Sequence, residues 1–227
     1  MAGRAESGEG AEAVGDAQIL RLRSACGAAV AGLAAARPDL IAVVGGAPET
    51  AEYEASAAGS LRDFGIPFGV GSGDAVLPLS LTVGSWLVRR FLPAEAGRER
   101  WRLRLLAVRQ SRPAADCLRI GAELAASVPR VALLVMGDGS ARKIAGVPGA
   151  ADPAADAYDA AVAAAFADAD PDRLAGLDPA LDRELMVAGR AAWQVLAGAA
   201  AGRRLHGELL YAAAPLDVSY LVASWAT

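Results

Sequence analysis

At 227 residues, 54% of them hydrophobic and 21% charged, the chain has the composition of a single folded domain and not of a disordered segment. A net charge of −4 and a pI of about 5.1 exclude a general nucleic-acid binder, which needs a basic face. No run approaches the roughly 18 apolar residues of a membrane helix, and the start lacks the basic and apolar regions of a signal peptide.

Residues 1–16 carry Glu6, Glu9, Glu12 and Asp16 against Arg4, with almost no large apolar side chain, and are expected to form a flexible acidic tail ahead of one domain over 17–227. From Ala17 the pattern turns helical, with Ile19, Leu22, Cys26, Val30 and Leu33 on one face. Pro38 ends that helix, and Leu40 to Val44 reads as a buried strand. Gly45, Gly46 and Glu49 then belong to a loop, which lacks both the GxGxxG and the GK[ST] spacing of a phosphate cradle. The loop runs without clear period to Leu61, and Ile66 to Val70 reads as a short strand.

Leu79, Val83, Trp86, Leu87 and Phe91 form the apolar stripe of the next helix. Trp101 to Val108 is a strand, with Arg102 and Arg104 alternating outward. A helix over Pro113 to Ala126 buries Cys117, Ile120 and Leu124. Both cysteines fall on helix patterns, outside any metal-ligand or CxxC spacing, so they read as reduced, buried thiols of a cytoplasmic protein.

Val131 to Met136 is apolar without alternation, the pattern of a strand covered on both faces in the middle of a parallel sheet. It runs into Gly137-Asp138-Gly139-Ser140, where two glycines let a ligand or another loop come close. In open α/β sheets ligands bind at the carboxyl ends of the strands, so this loop is expected to wall a site.

Over 152–201 the chain is helical. Asp152-Pro153, Asp170-Pro171 and Asp178-Pro179 each set a capping carboxylate before a first-turn proline, and Gly189 marks a break. Leu205 to Tyr211 and Val218 to Trp225 read as a terminal strand pair. The whole is expected to be a three-layer α/β domain with a largely parallel central sheet.

Several stretches together resemble an actinobacterial branch of the class III extradiol ring-cleavage dioxygenases, the fold of the protocatechuate 4,5-dioxygenase catalytic subunit and of Memo-type proteins. They are DLIAVVGGAPET (39–50), AAGSLRDFGI (57–66), LPLSLTVGSWL (77–87), VALLVMGDGSAR (131–142), DPALDRELMVAGRAAWQVLAGAA (178–200) and GELLYAAAP (207–215). The resemblance covers roughly residues 17–226. It implies a non-haem Fe(II) held by two His and one Glu, with a further His as acid/base.

This chain departs from that pattern. It opens on the acidic segment instead of a strand with a His-Pro motif. Gly45-Gly46 stands where the second ligand is expected, and Ala141 replaces the His of the Gly-Asp-x-Ser-His loop. His206 is the only histidine and cannot fill three roles; Glu208, two residues on, shares its strand face. With one histidine the chain also lacks the constellations of a Ser hydrolase, a zincin or a Cys/His site.

The expected function is therefore that of a metal-poor, catalytically degenerate relative with a binding or regulatory role, taking a small aromatic ligand and no cofactor, nucleic acid or membrane. The alternatives are an active extradiol oxidoreductase using Fe(II), whose ligand-bearing strand precedes this start, and a homo-oligomeric subunit pairing through a sheet edge. Candidate catalytic residues are Asp138, Ser140 and His206, and candidate metal ligands are His206 and Glu208. Gly45, Gly46, Glu49, Gly137, Gly139 and Arg142 are expected to line the pocket.

Overall fold

The computed structural model describes residues 6–92, 101–141, 152–213 and 219–227, with side chains in the first helix described from Asp16. Its centre is β1 (Leu40–Ala47), whose two faces are sorted by the strand period of two. Ile41 and Val43 pack with Val30 of α1 (Glu6–Ala35) and with Leu81, Leu87 and Val88 of α2 (Leu79–Phe91). Leu40, Ala42 and Val44 pack the opposite way, against Cys117 and Leu124 of α3 (Ala114–Ala126) and Ala191, Ala192 and Val195 of α7 (Arg190–Ala200). Each Ile, Leu or Val taken fully out of water here contributes about 1.5–3 kcal/mol. Helices therefore cover both faces, giving three layers.

The sheet order is β2-β5-β1-β6. β5 (Arg102–Arg109) and β6 (Val131–Met136) flank β1 in parallel, while the three-residue β2 (Ala51–Tyr53) pairs with β5 antiparallel. Arg104 on β5 donates to the Glu52 carboxylate on β2 through two hydrogen bonds of 2.7 Å. The short β3 (Gly59–Ser60) and β4 (Gly69–Val70) form a separate two-stranded piece around a 3-10 turn (Arg62–Phe64).

Beyond α7 lie α4 (Pro153–Ala167), α5 (Pro171–Ala175) and α6 (Pro179–Leu185). Each starts as expected from its Asp-Pro pair: the carboxylates of Asp152, Asp170 and Asp178 accept from the N–H groups of Ala154, Arg173 and Ala180. The terminal hairpin, β7 (His206–Ala213) and β8 (Tyr220–Ala226), is its own sheet. The Trp225 indole N–H donates to the Phe166 carbonyl at 2.7 Å and the Tyr211 hydroxyl to that of Gln18 at 3.3 Å, which ties the hairpin to α4 and α1.

Four expectations change. The stretch to Leu61 is not all loop, since it contains β2 and β3. β6 is not the middle of the sheet: among the described residues its only sheet neighbour is β1, so it is an edge strand. A helix over each face keeps its residues apolar, and an apolar run cannot distinguish a strand with two neighbours from one with covered faces and a single neighbour. β1 continues through Ala47, so Gly45 and Gly46 belong to the strand and not to the following loop. α1 begins at Glu6 instead of Ala17.

Candidate functional site at the carboxyl edge of the sheet

The carboxyl ends of β1, β5 and β6 bring together Gly46, Gln110 and Gly137 with residues of α2, α6 and α7. At Gly45 an added Cβ would stand 2.6 Å from the Cβ of Ser80, and the Ser80 hydroxyl donates to the Gly46 carbonyl at 2.8 Å. At Gly46 an added Cβ would overlap the carbonyl oxygen of Ala188. Both glycines are thus needed for the chain's own close approach. Glu49 is exposed in the turn after β1. Beside it the Thr50 hydroxyl oxygen accepts from the Arg109 N–H at 3.0 Å and the Arg112 guanidinium at 3.1 Å.

The loop after β6 is held on its inner side. A Cβ at Gly137 would meet the Trp193 indole nitrogen at 2.6 Å, and one at Gly139 would meet Asp159 Oδ1 at 2.8 Å. The Ser140 N–H donates to that same oxygen at 2.9 Å, and the Ser140 hydroxyl donates to the Leu185 carbonyl at 3.2 Å. The Ala141 N–H also donates to Leu185, at 3.2 Å. Asp138 is exposed, and its carbonyl accepts from the Ala188 N–H at 3.2 Å. The close neighbours of this glycine loop are Trp193 of α7, Asp159 of α4 and the α6–α7 connection, residues 186–189.

Beneath that connection sits a buried polar cluster that sequence reasoning missed. Asp182 and Arg190, 5% and 3% exposed, form an ion pair on either side of residues 186–189. Tyr158 donates to Asp182 at 2.7 Å. Arg190 donates to Gln194 Oε1 at 2.6 Å and to the carbonyls of Gln110 at 2.7 Å and Arg112 at 3.2 Å. The Gln194 amide donates in turn to the Ala175 carbonyl at 3.1 Å. Burial pushes the Asp182 carboxyl above its ordinary value, opposed by the Tyr158 hydrogen bond and the Arg190 charge. Burial and the adjacent carboxylate hold the Tyr158 phenol well above the ordinary range, so it stays a donor. The available signal was Arg190 and Gln194 four apart on the buried face of an Ala-rich helix, a spacing that points both inward together.

The candidate metal ligands lie elsewhere. His206 opens β7 opposite Ala226, and Glu208 stands opposite Ser224; both are exposed on one face of the hairpin and not at the carboxyl edge. The carboxyl edge therefore holds Asp138 and Ser140 but not His206, and Arg142 lies outside the described residues. Among the described residues no three His, Cys, Asp or Glu side chains are grouped to hold a metal ion. The donor set does not fit a two-His, one-carboxylate Fe(II) centre, because the sequence contains one histidine.

Two clefts are lined by other residues. One, of about 420 Å³, is polar and lined by Ser60, Arg62, Phe68, Ser72 and Asp74 among others. The other, of about 370 Å³, lies between α3, α5 and α7. Among the described residues, no helix is long and apolar enough to cross a membrane.

No family model and no curated protein matches the chain. Among solved structures it is similar to an uncharacterized protein, JW3007, from Escherichia coli K12. The match has a TM-score of 0.50 and 18% identity, and covers 83% of this chain and 86% of the other. At that identity the likeness extends to the fold alone.

Proposed function

We propose that this chain is a catalytically degenerate, metal-poor relative of the class III extradiol dioxygenases that binds a small aromatic ligand at the carboxyl edge of its sheet. The observation that carries the reading is the position of His206. The one imidazole in the chain is exposed on the terminal hairpin, while the edge where such folds do chemistry presents Gly46, Asp138 and Ser140. Ring cleavage at iron needs at least two imidazoles at one point. Leu79 and Met186, 41% and 56% exposed, belong to the elements that carry Ser80 and Ala188 onto β1, and they supply apolar surface for a ring. Two unpaired cysteines, Cys26 and Cys117, support a cytoplasmic setting.

The test is a titration with catechol, without metal, followed by amide chemical shifts. The expected result is saturable change confined to residues 45–47, 137–141 and 186–189. Changes centred on the hairpin or on the 58–75 cleft, or none at millimolar catechol, would overturn the placement of the ligand.

A second reading, a homo-oligomeric subunit, is favoured by β6, an edge strand of six apolar residues without a charge or a proline to discourage pairing. Solution mass tests it: a dimer is expected, and a monomer at high concentration removes it.

A further inference from the structure

The carboxyl edge of β1 is closed in this structure by the chain itself. Ala188 places its carbonyl where a Cβ of Gly46 would stand, and Gly137 and Gly189 both lie against the Trp193 ring. A ligand at this edge has to displace something. We infer that residues 186–189 are a strap that swings off the edge of β1 while its two ends stay pinned. This rests on the reading of that edge as the binding place.

The pins and the tip differ in how they are held. The ends are joined to each other by the buried Asp182–Arg190 ion pair, and the Val187 N–H donates to the Asp182 carbonyl at 2.8 Å. Arg190 is further fastened to the carbonyls of Gln110 and Arg112. The tip rests on the Ala188-to-Asp138 bond, and the end of α6 on two bonds to the Leu185 carbonyl, all 3.2 Å long. Met186 at the tip adopts φ 54°, a left-handed conformation that a long side chain rarely takes, while that side chain is 56% exposed. Strained backbone and an exposed side chain thus fall at Met186, whereas Val187 packs against the cluster of Leu174, Leu185 and Trp193 and Gly189 is buried. Segments of this kind open locally, below the free energy of global unfolding.

Amide hydrogen exchange on the full chain tests the strap without any ligand. The Ala188 amide, which donates to the Asp138 carbonyl in the closed contact, is expected to exchange at least roughly tenfold faster than the Val43 amide in β1. Equal rates would mean that the edge opens only by global unfolding and would overturn the strap. Gly46→Ala drives a methyl into the Ala188 carbonyl. It is expected to speed exchange at Ala188 and to expose Trp193 to acrylamide, with Val43 unchanged. A uniform rise across β1 would count against a separate moving part, and the wild-type comparison stands even if this variant folds poorly. If the strap opens while catechol fails to bind, the ligand reading falls and the strap remains.

Discussion

Asp182→Ala removes one partner of a buried ion pair. It leaves the Arg190 guanidinium, 3% exposed, with three carbonyl or amide oxygens and no counter-charge. Breaking a buried pair from one side costs about 3–5 kcal/mol, because the remaining charge cannot recover its hydration. The Tyr158 hydroxyl, 2.7 Å from Asp182, loses its acceptor as well, a penalty of about 1–3 kcal/mol that partly overlaps the first. We expect a loss of about 4 kcal/mol, a large fraction of the 5–15 kcal/mol typical of a whole domain. Asp182→Asn keeps an acceptor for Tyr158 but not the charge, and should cost less than alanine. Removing both charges, as Asp182→Leu with Arg190→Met, should return most of the loss, since the desolvation of both ions disappears with them. The assay is urea unfolding followed by circular dichroism, compared at constant slope. A cost below about 1 kcal/mol for Asp182→Ala, or a double variant no better than the sum of the singles, would refute this reasoning.

Other consequences are testable separately. A methyl at Gly121 would press into the α7 backbone, 2.7 Å from the Ala199 nitrogen, so Gly121→Ala should lower stability by about 1–3 kcal/mol in the same assay. The Arg104 hydrogen bond holds Glu52 below the ordinary value of 4.5, so its contribution is present above that pH and lost as pH falls through the lowered value. Because the pair is half exposed, Glu52→Gln should cost under about 1 kcal/mol at pH 7 and nothing once the native carboxylate is protonated. Burial raises the Cys117 thiol, so in the native protein it should be unreactive to a disulfide reagent at pH 8 and should react once urea unfolds the chain. His206→Ala, at an exposed strand end, should shift stability by no more than about 0.5 kcal/mol.

The layered α/β fold was legible because its signals are local and repeated. The apolar run Leu40 to Val44 marked a buried strand, and three Asp-Pro pairs marked three helix starts. Sheet order was not legible, since pairing depends on tertiary contacts. The uniform run of β6 fits an edge strand under two helix layers as well as a central one. Gly137 and Gly139 were read as places of close approach, while Gly45 and Gly46 were read as loop residues and stand within β1. The partner could not be read from them: Ser80, Ala188, Trp193 and Asp159 lie far along the chain. Asp182 and Arg190 were passed over because a buried ion pair looks, in sequence, like two ordinary surface charges, and only the Arg190–Gln194 spacing on an apolar helix face hinted otherwise.

The claim that iron chemistry has been lost from this scaffold rests on one imidazole placed away from the sheet edge. It is tested most directly by incubating the protein anaerobically with Fe(II), removing the excess, and measuring bound iron together with catechol-dependent oxygen uptake. The expected result is iron far below one per chain and no uptake above that of the buffer. Stoichiometric iron with catechol consumption would contradict it and would require ligands beyond the hairpin pair His206 and Glu208.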